Sequence, residues 1–198
     1  PAKNIAKIAN RNGIKTIADF FNYKKSIKIR KNFQPDLIFA RNVIPHVSNL
    51  KSVVKGISNL CKNNTKVAIE FHYAGYIYKE LQYDSIYHEH IFYFTIKSLS
   101  KIFKKYGLYP NDVFVSPISG GSLVLIFSKS KKIVSPNLKK FISHEIKLKL
   151  NQINTWKDFS KKVKIHKDKF RKLIMDKFKI NGKLFAYGAS ARSSTLLN

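Results

Sequence analysis

The sequence predicts an open α/β sheet, and three observations carry that prediction. Short apolar runs, Leu37-Ile38-Phe39-Ala40 and Lys66 to Phe71, have the length of strands. The segment between them sets Leu50, Val53, Val54, Ile57 and Leu60 on one helical face. Helix, strand, helix, strand in succession is the order of a mainly parallel sheet, in which ligands bind beyond the carboxyl ends of strands. A chain of 198 residues suffices for one good core and part of a second unit.

Taken in order, Pro1 to Asn12 places Ala2, Ile5, Ala6, Ile8 and Ala9 at helical spacing, with Gly13 as the stop. The chain opens at a helix start without an initiator methionine and reads as part of something longer. Lys15 to Phe21 is expected as a short strand or loop, and Asn22 to Lys31 as a short basic helix or connector. Gln34-Pro35-Asp36 breaks the pattern before Leu37 to Ala40, expected to be a buried parallel strand. Ser48 is the expected N-cap of the helix that runs to about Leu60.

A further helix begins at Thr95 or Lys97, with Leu99, Ile102, Phe103 and Tyr106 apolar and Gly107 as its stop. Val113 to Val115 and Leu123 to Phe127 form a hairpin-like pair around Ser119-Gly120-Gly121-Ser122, a loop that reads as a tight turn. Pro136 to about Ile180 is lysine-rich and amphipathic, expected as one or two helices with His144 and His166 on the surface. Lys183 to Thr195 reads as strand, small-residue turn and helix start, a turn able to offer N–H groups and hydroxyls to a phosphate. Residues 1–130 are thus expected to form one unit, and residues 131–198 linker helices and the start of a second α/β unit.

Composition narrows the function classes. Hydrophobic residues at 44% and aromatics at 13% place the chain among folded globular proteins. No apolar run has the length of a membrane span and no signal-peptide pattern opens the chain, so no membrane partner and a cytoplasmic location are expected. Cys61 is a single cysteine, which excludes a disulfide framework and a cysteine metal cluster. The 38 Lys+Arg against 11 Asp+Glu give +27, a balance that normally points to nucleic acid or an anionic membrane. Here the basic residues are mostly lysine, spread along the chain with abundant Asn, Ile and Phe, without an arginine-rich arm, zinc finger or RNA-binding aromatic signature. A solvated lysine surface is the preferred reading, and no nucleic-acid partner is expected.

Chemistry concentrates in Asp84-Ser85-Ile86-Tyr87-His88-Glu89-His90-Ile91-Phe92-Tyr93. A carboxylate beside an imidazole can orient and tune it as a proton acceptor near neutral pH. A metal site or a polar surface loop would use the same residue types. A metal-dependent hydrolase using His88 and His90 lacks a third ligand at convincing spacing, and the His-Glu-x-x-His pattern is absent. Arg41-Asn42-Val43-Ile44-Pro45-His46 and the stretch from Tyr73 to His90 both follow predicted strands, which converges on a site at the sheet's carboxyl edge.

Those stretches, with Ile69-Glu70-Phe71-His72-Tyr73, Gly120-Gly121-Ser122-Leu123 and Gly188 to Asn198, resemble the sugar C-methyltransferase family and occur in its order. These enzymes use S-adenosylmethionine to methylate a carbon of nucleotide-linked keto-deoxysugars. Tyr87-His88-Glu89-His90 is the most specific match; Pro45 and Arg192-Ser193 depart from the family pattern, which usually has a smaller residue and Lys-Gly. The resemblance implies a partial Rossmann-like methyltransferase domain followed by the start of a second Rossmann-like domain. It implies His90 as the base, Tyr87 and Glu89 as orienting groups for base or substrate, and His46 in the same catalytic pocket. Asn42, Tyr87 and Glu89 would contact the sugar, Ala40 and Asn42 the cofactor, and no metal would serve the reaction. The family's zinc-binding domain, its glycine-rich cofactor loop and the acidic residue for the cofactor ribose would precede Pro1, so this segment alone is expected to be inactive. The implied partner is a nucleotide-sugar, expected to be dTDP-linked.

Overall fold

The computed structural model describes residues 2–117, 120–131, 133–188 and 190–197. Pro1, Ser119 of the glycine loop, and Ala189 and Asn198 of the C-terminal motif lie outside the described residues. The elements are α1 (Lys3–Arg11), α2 (Tyr23–Arg30), β1 (Leu37–Arg41), α3 (Leu50–Leu60), β2 (Lys66–His72), α4 (Ala74–Lys79), α5 (Ile96–Lys104), β3 (Tyr109–Ser116), β4 (Ser122–Ser128), α6 (Pro136–Lys147), α7 (Ile153–Asn181) and α8 (Ala191–Leu197). Two short 3-10 turns, Ile44–His46 and Tyr83–Ser85, follow β1 and α4. The mixed α/β class is as expected. Among the described residues no helix is long and apolar enough to cross a membrane.

Four strands form one sheet in the order β1-β2-β4-β3. β1 and β2 are parallel with Ala40 opposite Ile69, joined through α3. The β3–β4 hairpin folds back so that β4 lies between β2 and β3, antiparallel to both. β2 is therefore flanked on both edges, and Val67 to His72 are all buried. Its Glu70 is held by Arg41 Nε at 3.2 Å and by the Ser116 hydroxyl at 2.8 Å, the pairing a buried carboxylate requires.

β1 corrects one expectation. It is not a buried strand: only β2 pairs with it among the described residues, and Leu37 and Phe39 are 62% and 55% exposed. A continuous apolar run predicts burial on both faces, whereas alternate residues here face solvent. The start of α3 also shifts by one: Asn49, not Ser48, accepts the Ser52 N–H with its side chain. Lys15 to Phe21 is loop, and α5 begins after Thr95, whose hydroxyl and backbone pair reciprocally with Ser98.

The core joins α3, β2, α5, β3, β4 and α6 through Val54, Ile57, Ile69, Phe71, Leu99, Phe103, Val113, Leu125, Phe127 and Leu138, all buried. Phe103 stacks on Phe127 with centroids 4.3 Å apart, fixing α5 on the sheet. Glu145 of α6 is buried and accepts the first backbone N–H groups of α5, from Ile96 and Lys97. A carboxylate there satisfies two helix-end donors and opposes the positive end of the helix dipole. Burial nonetheless pushes its pKa upward, against the pull of those N–H bonds.

The lysine-rich stretch divides into two helices, broken where Lys149 adopts φ 52° and the Trp156 indole donates to the Leu150 carbonyl. His144 and His166 are exposed, as expected. The strand expected at Lys183 to Tyr187 is absent: residues 183–188 have no regular structure, and Phe185 and Tyr187 are fully open. A strand needs a partner for its backbone groups, and none lies beside this run among the described residues. Replacing Phe103 by Ala should lower stability by roughly 3–5 kcal/mol, the usual cost of deleting a buried aromatic. Denaturant unfolding that shows less than about 1 kcal/mol would contradict this reading of the core.

Candidate functional site

The site is assembled where β1 and β2 end. Asn42, the first residue after β1, sits at φ 48°, a left-handed position that Asn tolerates better than bulkier residues. Its N–H donates to the Glu70 carbonyl at 3.1 Å, which turns the chain off the sheet. The Ile44–His46 turn follows, with Ile44 and Pro45 buried. The Pro45 carbonyl accepts the N–H groups of Ile91 and Phe92 at 3.0 and 3.2 Å. A residue lacking its own N–H serves there, because the contact asks only for the carbonyl.

These bonds pin the 87–93 loop over the turn and bring His46 and His90 together, with ring centroids 4.8 Å apart. The two imidazoles are held alike. His46 Nδ1 lies 2.8 Å from the Glu89 carbonyl, so Nδ1 carries the proton and Nε2 is left as acceptor, 3.4 Å from the Asn42 amide nitrogen. His90 Nδ1 lies 3.1 Å from the Ser85 carbonyl, which assigns its proton to Nδ1 by the same logic. Its Nε2 lone pair then faces the Tyr87 hydroxyl at 3.2 Å. Tyr87 and His90 rings are 4.4 Å apart, and Tyr93 closes the other side with its hydroxyl toward the Ser85 carbonyl.

His90 is half-buried, and that desolvation lowers its pKa below the ordinary histidine value; the neighbouring His46 pushes the same way, while the Ser85 carbonyl and Glu89 oppose. The neutral imidazole, the form able to accept a proton, therefore prevails near neutral pH. Behind it lies His72, the last residue of β2, with centroids 6.4 Å from His90. His72 is buried, which lowers its pKa too, and its Nε2 donates to the Gln82 side-chain oxygen at 2.8 Å. The Gln82 amide donates in turn to the Gly120 carbonyl and to Glu80. The glycine loop is thus tied to the site by its backbone, and Gly121 at φ 115° would place any Cβ 2.7 Å from the Tyr76 ring.

Of the residues singled out from sequence, Asn42, His46, Tyr87 and His90 meet in one cluster. Glu89 takes part through its backbone carbonyl, while its side chain is exposed. Ala40 lies half-buried on β1 opposite Ile69, two residues before Asn42. His88 is exposed with its ring 6.4 Å from that of Tyr87. Among the described residues no group of three or more His, Cys, Asp or Glu is placed to hold a metal ion. Beside His46 opens a cavity of 430 Å3 bounded by Phe20, Phe21, Asn22 and Asn49.

Sequence reasoning missed His72, Gln82, Ser85 and a pair between Asp84 and Arg192. His72 carried a readable signal, since it directly follows the predicted strand Lys66 to Phe71, at the same sheet edge as Asn42. The Asp84–Arg192 pair carried none: the guanidinium of α8 reaches Asp84 with Nε at 2.8 Å and Nη2 at 3.0 Å across 108 positions of sequence.

The chain is similar to several known proteins. NovU of Streptomyces niveus, a C-methyltransferase, is 26% identical over 200 residues, covering all of this chain and 48% of NovU; the chain spans about half the length of that relative. The crystal structure of TnmH aligns with TM-score 0.44 and 15% identity, over 65% of this chain and 41% of TnmH. The 1,6-didemethyltoxoflavin-N1-methyltransferase of Burkholderia thailandensis, solved with 1,6-didemethyltoxoflavin and S-adenosylhomocysteine, aligns with TM-score 0.41 and 14% identity, over 64% and 56%. The family model of the methyltransferase domain matches residues 3–111, and that of the C-methyltransferase C-terminal domain matches residues 117–198. The chain therefore belongs to the methyltransferase-domain family, and its residues 117–198 are similar to a C-methyltransferase C-terminal domain.

Proposed function

We propose that the protein carrying this chain is an S-adenosylmethionine-dependent C-methyltransferase acting on a nucleotide-linked, dTDP-linked keto-deoxysugar. The observation that carries the reading is His90: a neutral imidazole with Nδ1–H on a main-chain carbonyl and its Nε2 lone pair turned toward the Tyr87 hydroxyl. A carbon beside a ketone becomes nucleophilic only after losing a proton, and a positioned base removes it. In this reading His90 Nε2 takes that proton. Charge then gathers on the ketone oxygen as the enolate forms, and the Tyr87 hydroxyl and the Asn42 amide are donors at hand to meet it. The proton held on His90 passes to solvent, and the enolate carbon would take the methyl of a bound cofactor as its carbon–sulfur bond breaks and S-adenosylhomocysteine leaves. His46, held by the Glu89 carbonyl, packs the base in place.

The cofactor supplies an electrophilic methyl on a sulfonium centre. The residues at the end of β1 fit one wall of its site, Ala40 offering only a methyl group and Asn42 an exposed amide able to hydrogen-bond. The match to the methyltransferase domain and the kinship with NovU support this cofactor and a carbon acceptor. The net charge of +27 favours a substrate bearing a diphosphate. No observation here favours a metal-dependent hydrolase or a nucleic-acid binder.

In the protein carrying this chain, His90→Asn is expected to lower turnover by roughly two to four orders of magnitude while cofactor affinity barely changes. Exchange of the substrate's ring proton with deuterated solvent should fall in parallel, and methylation at a near wild-type rate would remove the base assignment. The acid limb of the pH–rate profile should fall with protonation of His90. Because its pKa is lowered, more than half of the maximal kcat/KM should survive at pH 6.5. An inflection above that pH would contradict the lowered pKa of His90.

A further inference from the structure

We propose that Arg192 is a positioning residue: its fork on Asp84 fixes the Tyr83–Ser85 turn, and through the Ser85 carbonyl it orients the His90 imidazole. The inference rests on the reading of His90 as the base, yet its test does not use catalysis.

Three observations join into one chain of contacts. The Tyr83–Asp84–Ser85 turn is gripped from the C-terminal part of the protein at two adjacent residues. The Tyr83 hydroxyl lies 3.0 Å from His166 Nδ1 on α7, and the Asp84 carboxylate receives both Nε and Nη2 of Arg192 on α8. The third residue of the turn, Ser85, is 1% exposed and locked by its own hydroxyl on the Gln82 carbonyl at 2.6 Å. Its carbonyl accepts His90 Nδ1–H and receives the Tyr93 hydroxyl. Displacement of this turn would remove the acceptor that keeps the His90 proton on Nδ1 and the lone pair on Nε2.

The geometry suits the task. A guanidinium binding both oxygens of a carboxylate fixes direction as well as distance, which a single ammonium cannot do. Both side chains are about one-third exposed or less, so the pair is neither buried enough to be costly nor open enough to be lost in solvent. Arg192 is the second residue of α8, so its contact ties the turn to the C-terminal motif. The base is thereby set by the first turn of α8.

The test reads the His90 tautomer from its imidazole nitrogen shifts in the 198-residue protein. Asp84→Asn and Arg192→Gln are each expected to lower the ratio of Nδ1–H to Nε2–H tautomer about two- to fivefold, the range open to one partly exposed ion pair. The double variant should fall no further than either single one, because the two act through one contact. Exchanging the partners, Asp84→Arg with Arg192→Asp, should restore the ratio at least in part. An unchanged tautomer in both single variants, with the fold intact by circular dichroism, overturns the proposal. So does a shift in Arg192→Gln alone, which would show Arg192 acting on His90 as a distant charge and not through the turn. A positive result alongside an active His90→Asn enzyme would retain the latch and discard the base, so the two readings fail separately.

Discussion

The parallel pairing of β1 with β2 is the constraint from which the site follows. Register places Arg41 beside Glu70, and the next N–H, from Asn42, reaches back to the Glu70 carbonyl before the chain turns away. Two strand ends are thereby set side by side, and the segments leaving them must share the space above the sheet. Buried Ile44 and Pro45 then anchor one segment, and the Pro45 carbonyl captures the other. The approach of two imidazoles is a consequence of backbone hydrogen bonding, not of any attraction between the rings.

What the backbone does for the site is to settle tautomers. Each of the two facing histidines gives its Nδ1 proton to a main-chain carbonyl, of Glu89 and of Ser85. A carbonyl, unlike a carboxylate, fixes the proton without adding negative charge that would hold the imidazole protonated. Desolvation then favours the neutral ring. The exposed carboxylate of Glu89 acts on His90 through its field, while its peptide oxygen holds His46.

Much of this was legible in the sequence. The helical spacing of Leu50 to Leu60 and the run from Lys66 to Phe71 located α3 and β2, because both bury an apolar face with a clear period. The strand-end rule alone picks out His46 and His90. Periodicity was silent about depth, so Leu37 to Ala40 read as buried although half of β1 faces water. Lys183 to Tyr187 has strand composition and no strand, since pairing depends on a neighbour that local sequence cannot supply. The contacts of Arg192 and His166 with the Tyr83–Ser85 turn were invisible for the same reason: they join helices to a turn across many tens of residues, and no spacing encodes them.

The open flank of β1 has a colloidal consequence. A five-residue edge carrying Leu37 and Phe39 outward, unpaired on one side among the described residues and charged only at Arg41, is a template for edge-to-edge pairing between copies. The chain's +27 charge opposes such encounters by mutual repulsion, adding to the single charge the strand carries. That protection is electrostatic and reaches only about 10 Å at 0.1 M salt. Dilute buffers therefore keep copies of this chain apart, and rising ionic strength uncovers the adhesive edge.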